Sequence, residues 1–466
     1  MSCQLVKAHP VGRPVRWMRV LRLCVAFCLL SFSVLAPVAA QPRGTLALPA
    51  DTLPPVSEAL VRHYLARSLS VQALNYWNAS VAQRRTLINW AADAGMRMAG
   101  RTGGWWSTPN SDQALHAFID TLQRNVQLMH ARQPDIVVQG CIFELVEPHV
   151  GNLTVPNRLR AAFGEDTLAL RQRRFSFANI VYPEYHDLSN SSYRWGDSPP
   201  GQAPGVPDMS RSEAQLWFYY CAVLQLDAGC EALHFGQIRL IDDAAHDPGH
   251  RAFWGLLQRI RRYARTRNRG FVLCDAHTHG EHYDPIPAAP LPDSVRQLLF
   301  DFHSFPLRPV EADTVRAGTH AAYLDIDPWG NPGGGIYVRS QGGRAPGGWL
   351  CRHLPAQAEF DNGISGTPGK PGQWPLVWGL DEISWFANQP SAYRNRWLIY
   401  AQARVRQLDP ATYFQPAGGR GVSLQSYARY HYWATEAGQA ETIRAIWAGE
   451  TTAEGARLLL IGPSAP

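Results

Sequence analysis

The chain has 466 residues, 45% hydrophobic and 18% charged, with 44 Lys and Arg against 38 Asp and Glu for a net charge of +6. That length is too great for one small core and fits an elaborated α/β domain, while the basic residues form no run suited to nucleic acid. No CxxC pair occurs, which excludes a zinc ribbon or a dithiol redox motif, and there is no internal repeat, heptad or low-complexity tract.

Residues 1–22 carry Lys7, Arg13, Arg16, Arg19 and Arg22 and no acid. An uncharged apolar run follows, Leu23 to Leu35, and then Ala36-Pro37-Val38-Ala39-Ala40-Gln41, with small side chains at Val38 and Ala40. Basic, apolar and small-residue regions in that order predict a cleavable signal peptide over residues 1–40 and an exported, periplasmic or extracellular protein. The run is too short for a comfortable span, so no stable membrane insertion is expected after cleavage. Cys24 and Cys28 lie inside the run and not at its end, which argues against a lipoprotein site. Five of the six net charges lie in this segment, so the remainder carries +1 and its basic balance names no partner. Lysine occurs only at Lys7 and Lys370. This arginine-rich composition looks bacterial, so Asn78-Ala79-Ser80 and Asn152-Leu153-Thr154 are not read as glycosylated. Of the five cysteines beyond the leader, Cys221 and Cys230 are spaced so that they could bridge in an oxidising compartment.

Residues 41–56 are Pro-rich and read as an extended leader, and 57–466 as one domain with a C-terminal extension. Short apolar runs between turn residues predict eight strands: Met96–Thr102, Ile136–Glu144, Phe177–Tyr182, Ala232–Ile238, Phe271–His277, Leu298–His303, Gln357–Asp361 and Leu376–Ile383. Helical spacing lies between many of them, over Asp112–Arg132, Ser212–Asp227 and Asp247–Thr266, and again over Pro390–Asp409. Strands alternating with helices, eight in number, predict a (β/α)8 barrel of the α/β class. Long loops are expected over 194–208, 283–292 and 328–348. Ala321–Ser340, between strands six and seven, reads as a hairpin over the mouth.

Polar residues collect at the strand ends, where barrel enzymes place their chemistry. Strand two ends in Glu144, strand five in Asp275-Ala276-His277, strand six in Asp301-Phe302-His303, strand seven in Glu359-Phe360-Asp361, and strand eight carries Asp381-Glu382. Alternation puts Gln357, Glu359 and Asp361 on one face and Ala358 and Phe360 on the other. The outer face meets apolar helices, so the polar set should point inward, and the same logic turns Asp275, His277, Asp301 and His303 toward the lumen. Any one acid could instead cap the following helix.

A glycoside hydrolase needs two carboxyl groups facing across a sugar. Strands two and seven are three apart around the ring, which makes Glu144 with Asp361 the preferred pair and Glu144 with Asp275 the second. Glu359, beside Asp361, could be the acid's partner. His277, Asp301, His303, Gln237, Asp381, Glu382, Trp105 and Trp106 are the candidate substrate contacts. Aromatic faces stack on sugar rings, and Trp195, Trp329, Trp378 and Trp385 lie near other expected loops or strand eight. No cofactor is expected, and the expected ligand is a poly- or oligosaccharide.

The layout over residues 85–410 resembles the TIM-barrel glycoside hydrolases of bacterial secreted enzymes. Many of these carry an Asn-Glu pair at the end of strand four, where this chain has His234-Phe235-Gly236-Gln237. Asp275-Ala276-His277-Thr278-His279 also resembles the His-x-His motif of the amidohydrolase superfamily, with His277 and His279 as the matching ligands. That motif belongs on a first strand, and here too little chain follows it; the only later lysine, Lys370, is in a Gly-Pro loop. A metal-dependent hydrolase using His277 and His303 with Asp301 or Asp361 is the second reading. A non-catalytic carbohydrate-binding barrel is the third.

Overall fold

The computed structural model describes residues 56–461 apart from 77, 167–171, 183–203, 244, 268, 279–295, 308, 312–321, 325–341, 362–381 and 424–428. The signal peptide, nearly all of the leader, Trp195, Trp329, Trp378, His279 and Asp381 therefore lie outside the described residues.

Eight parallel strands form one sheet in sequential order. They are β1 Ser68–Ser70, β2 Met98–Gly100, β3 Val137–Cys141, β4 Ala232–Gln237, β5 Leu273–His277, β6 His303–Pro306, β7 Ala356–Glu359 and β8 Thr412–Gln415. The sheet curls until its edges meet. Ser70 N–H donates to the Pro416 carbonyl at 3.0 Å, and Gly418 N–H to the Ser70 carbonyl at 2.8 Å. This is a (β/α)8 TIM barrel, as expected from the alternation of strand and helix.

The barrel is stratified by chemistry. Outward residues of the strands, among them Leu69, Val138, Ala358 and Phe414, pack with the surrounding helices, as do Leu233, Phe235, Cys274 and Ala276. Inward residues at the strand starts (Met98, Val137, Ala232 and Leu273) are apolar and meet Val61, Tyr64 and Leu65 of helix α1, Glu58–Leu65. Helix α1 thus plugs the N-terminal end. Further along the strands the inward residues turn polar, and the site begins there.

Helices α2 Val81–Asp93, α3 Asp112–Arg132, α4 Ser212–Asp227, α5 Arg251–Ala264 and α6 Ser391–Leu408 fill the outer layer. Helix α5 starts later than its apolar spacing implies. Gly249 and His250 hold φ of +73° and +52°, and the Asp247 carboxylate accepts from the N–H groups of Ala252 and Phe253. Turn and cap together stop the helix at Arg251.

Two expected strands are corrected. Phe177–Ile180 is a single helical turn in the long connection between β3 and α4. Its apolar residues are buried against that connection, and burial satisfies an apolar run without strand pairing. Ile383, expected in strand eight, lies in the helix Glu382–Ala387. The places of both are taken by β1 and β8, whose lumen-facing residues are Ser68 and Gln415, joined side chain to side chain. Neither reads as an apolar run. The expected hairpin over 321–340 lies outside the described residues except for Ala322–Leu324, which pairs antiparallel with Pro309–Glu311, a segment that precedes it.

Candidate active site

The site is organised by a residue that follows β2 directly. Arg101 is buried and holds φ of +58°, a left-handed backbone that costs a non-glycine residue about 1–2 kcal/mol. Its N–H is fixed by Gln139 Oε1 of β3 at 3.0 Å. The guanidinium crosses the lumen to β7 and grips Glu359 with two bonds, Nε to Oε2 at 3.1 Å and Nη2 to Oε1 at 2.7 Å. The same Nη2 donates to Asp361 Oδ1 at 2.9 Å and lies 2.9 Å from His277 Nε2 of β5. His277 Nε2 is also 2.9 Å from Glu359 Oε1. Burial works to raise the proton affinity of Glu359, but Arg101 and the His277 bond override it and hold the carboxyl well below its usual range.

Beneath this cluster is a second polar layer centred on Asp275. Its Oδ1 accepts from Gln139 Nε2 at 2.7 Å, and its Oδ2 from Ser304 Oγ of β6 at 2.8 Å. His234 Nδ1 of β4 lies 2.8 Å from the same Oδ2, and the His234 ring meets His277 edge-on at 4.7 Å. Burial, with the charge of Arg101 adding to it, holds the His234 imidazole well below its ordinary value. Burial also pushes the Asp275 carboxyl up to about 7, against the pull of Ser304 and Arg101. The folded protein binds this proton more tightly than the unfolded chain, whose aspartates titrate near ~3.9. Stability from this group is full below that value and is lost as pH rises toward 7. Asp275→Asn, which imitates the protonated form, should flatten urea-unfolding stability between these limits; an unchanged slope would show that Asp275 does not hold its proton there.

Glu144 reaches the mouth from the segment after β3, and its position depends on a glycine. Strand β4 shifts register between His234 and Gln237, and Gly236 in the bulge has φ of +58°. A Cβ on Gly236 would lie 2.0 Å from Glu144 Oε2. The bulge turns the Gln237 N–H onto that oxygen at 3.2 Å. Burial raises the Glu144 carboxyl above its usual value, with the charge of Asp361 adding to it; the bonds from its own N–H and from Gln237 oppose the rise. Gly236→Ala should lose ~1–2 kcal/mol to backbone strain and expel Glu144. The check is a melting curve together with a crystal structure, and a Glu144 left in place would refute the dependence.

The other candidate residues are distributed as follows. Asp301 is not at the mouth. It precedes β6 at the N-terminal end, where its carboxylate accepts from Arg261 Nη2 at 3.2 Å and from the Cys274 N–H at 2.8 Å. His303 opens β6, but the lumen-facing residue is its neighbour Ser304; the His303 ring turns to Thr278, Nδ1 3.2 Å from Oγ1. Gln237 contributes its backbone. Glu382 is buried at the start of its helix, and Trp385 is in the helix-layer core. Trp105 is half-buried edge-on against Phe118, whereas Trp106 is 42% exposed and packs 5.5 Å from the Phe143 ring. Arg101 lies over the same Phe143 ring, its guanidinium carbon 6.0 Å from the centroid. Arg101, Gln139 and Ser304 are site residues that acid-and-histidine patterns at strand ends do not reveal, and His234 on strand four is a further one outside the candidate set. The five described cysteines are free thiols, Cys221 and Cys230 included. Burial pushes Cys141 and Cys274 up to about 12, which leaves them unsuited to thiolate chemistry. No helix among the described residues is long and apolar enough to cross a membrane.

No family model matches the chain, and no curated protein does. Among solved structures it is similar to the α-galactosidase of Thermus thermophilus in complex with stachyose, at 11% identity over 47% of this chain and 44% of that one, TM-score 0.28. It is also similar to the isomalto-dextranase of Arthrobacter globiformis T6 complexed with panose, at 11% identity over 75% and 52% of the two chains, TM-score 0.35. A third is the debranching enzyme of Nostoc punctiforme, at 11% identity over 47% and 48%, TM-score 0.25. The chain spans about half the length of these proteins. The resemblance to TIM-barrel glycoside hydrolases is one of architecture at low identity.

Proposed function

We propose that the chain is an exported glycoside hydrolase acting on an oligo- or polysaccharide. Two carboxyl groups near one barrel mouth, placed in different surroundings, carry this reading. Glu144 is buried with raised proton affinity, which suits a general acid that protonates the departing glycosidic oxygen. Asp361 is ion-paired with Arg101 at 2.9 Å and is the more open of the Arg101-bound acids, with 12% of its side chain exposed against 1% for Glu359. It suits the nucleophile or the base that activates water. Glu359, gripped twice by Arg101, serves to hold the arginine. The exposed Trp106 supplies an aromatic face for a sugar ring. Steady-state turnover of the Glu144→Gln and Asp361→Asn variants on saccharide fragments tests the assignment.

The metal-hydrolase reading has one observation in its favour. His277, Glu359 and Asp361 each offer a ligand-type atom, all within 4.8 Å of one another. Arg101 Nη2 already donates into that group, at 2.7 Å to Glu359 and 2.9 Å to Asp361. A permanent cation thus stands where a divalent ion would have to bind, and a metal would have to displace it against the surrounding bonds.

Export carries its own expectation: the protein recovered from the periplasm or medium should begin at or near Gln41. N-terminal sequencing checks this, and full-length protein held in the inner membrane would refute it.

A further inference from the structure

We propose that Arg420 is a positioning residue for Asp361, an inference that rests on the role given to Asp361 above. Arg420 follows β8, in the strand Gly419–Ser423, and is buried. Its Nη1 donates to Ser70 Oγ at 2.8 Å and to the Phe360 carbonyl at 2.5 Å, and its Nη2 donates to the Asp361 carbonyl. One guanidinium therefore ties the end of β1 to the end of β7, across the seam where β8 meets β1. The segment that delivers it is pinned at the same place: Gly418 N–H donates to the Ser70 carbonyl, and Ala434 N–H to the Gly418 carbonyl at 2.8 Å.

The geometry divides the work between two arginines. Arg101 holds Asp361 by its carboxylate, and Arg420 holds it by its backbone. A carboxylate held at one point only can swing about its own chain. With both ends held, Oδ1 stays on Arg101 while Oδ2 stays 3.7 Å from His277 Nδ1. Serving a hydroxyl and two carbonyls at once takes the planar, multi-donor fork of arginine. Lysine has a single compact charge and cannot span them.

The test uses the full mature chain with Arg420→Lys, Arg420→Met and Arg420→Ala, assayed on saccharide fragments well below each variant's unfolding temperature. The Lys and Met variants should lose about 10²-fold in kcat with KM little changed, as expected when a reacting group is displaced by about 1 Å. Added guanidinium should restore part of the turnover of the Ala variant and none of that of the Lys variant. Amide hydrogen exchange over residues 356–361 should accelerate in the Met variant. Unchanged kcat in a folded variant would overturn the proposal, as would a loss that disappears on cooling. Wild-type protein that cleaves no saccharide would sink the glycosidase reading instead. The exchange measurement would then still decide whether Arg420 holds the end of β7, and unchanged exchange would overturn that part too.

Discussion

Replacing Arg101 with methionine should destabilise the protein by about 3–5 kcal/mol, the range found when one partner of a buried ion pair is removed. A domain of ordinary stability has only about 5–15 kcal/mol to lose, so the variant should be marginal or unfolded at 37 °C. The reason lies in what is left behind. Glu359 is 1% exposed, with Arg101 donating to both of its oxygens, and Asp361 shares the same guanidinium. Without the cation, Glu359 keeps, among the described residues, the His277 bond in a buried setting. The pH dependence separates this account from simple loss of packing. Because Arg101 holds the Glu359 carboxyl well below its usual range, the stability it provides is present above ~4.3, the ordinary glutamate value, and is lost as pH falls further. The difference between wild type and Arg101→Met should therefore narrow in acid. Urea unfolding of both proteins across that range checks it. A constant difference would mean that the guanidinium acts as filler and not as a charge. Arg101→Gly would relieve the left-handed backbone yet should still be strongly destabilised, since the charge outweighs the strain.

The second large effect is on catalysis. Glu144→Gln should lower kcat by about 10²–10⁴-fold, the usual contribution of a positioned proton donor, with folding intact. The glutamine keeps the shape that the Gly236 bulge admits and can still accept from the Gln237 N–H. It cannot deliver a proton. Substrates whose leaving group needs no protonation should be spared most of the loss, while Asp361→Asn should be slow on both kinds. Comparison of the two variants on activated and natural substrates assigns the roles. Equal losses on both substrates for Glu144→Gln would remove it as the acid.

Much of this architecture was legible from residue patterns. Strand seven shows why. Ala358 and Phe360 are in the helix-layer core while Glu359 meets Arg101 in the lumen, as period-two alternation requires. Asp275 and His277 follow the same rule on β5. Strand six failed it for a physical reason: the ladder begins at His303, not at Leu298, so Asp301 falls before the strand and Ser304 takes the inward face. A small error in the start of a strand exchanges its faces. Arg101 was hidden differently. Arginine at the end of an apolar run reads as surface, and nothing local announces a backbone of φ +58° or partners 258 residues away. The polar strands β1 and β8 escaped because their lumen residues, Ser68 and Gln415, are hydrogen-bonded to each other instead of joining the apolar core.

The measurement that bears most directly on the central claim is product release from a panel of saccharide fragments by mature wild-type protein, with and without chelator, beside Glu144→Gln. A buried proton donor, Glu144, and an arginine-paired carboxylate, Asp361, predict that wild type releases new reducing ends equally well in both conditions and that Glu144→Gln does so far more slowly. Full activity in Glu144→Gln, or activity abolished by chelator and restored by a divalent metal, would contradict the account and move the chemistry to the group formed by His277, Glu359 and Asp361.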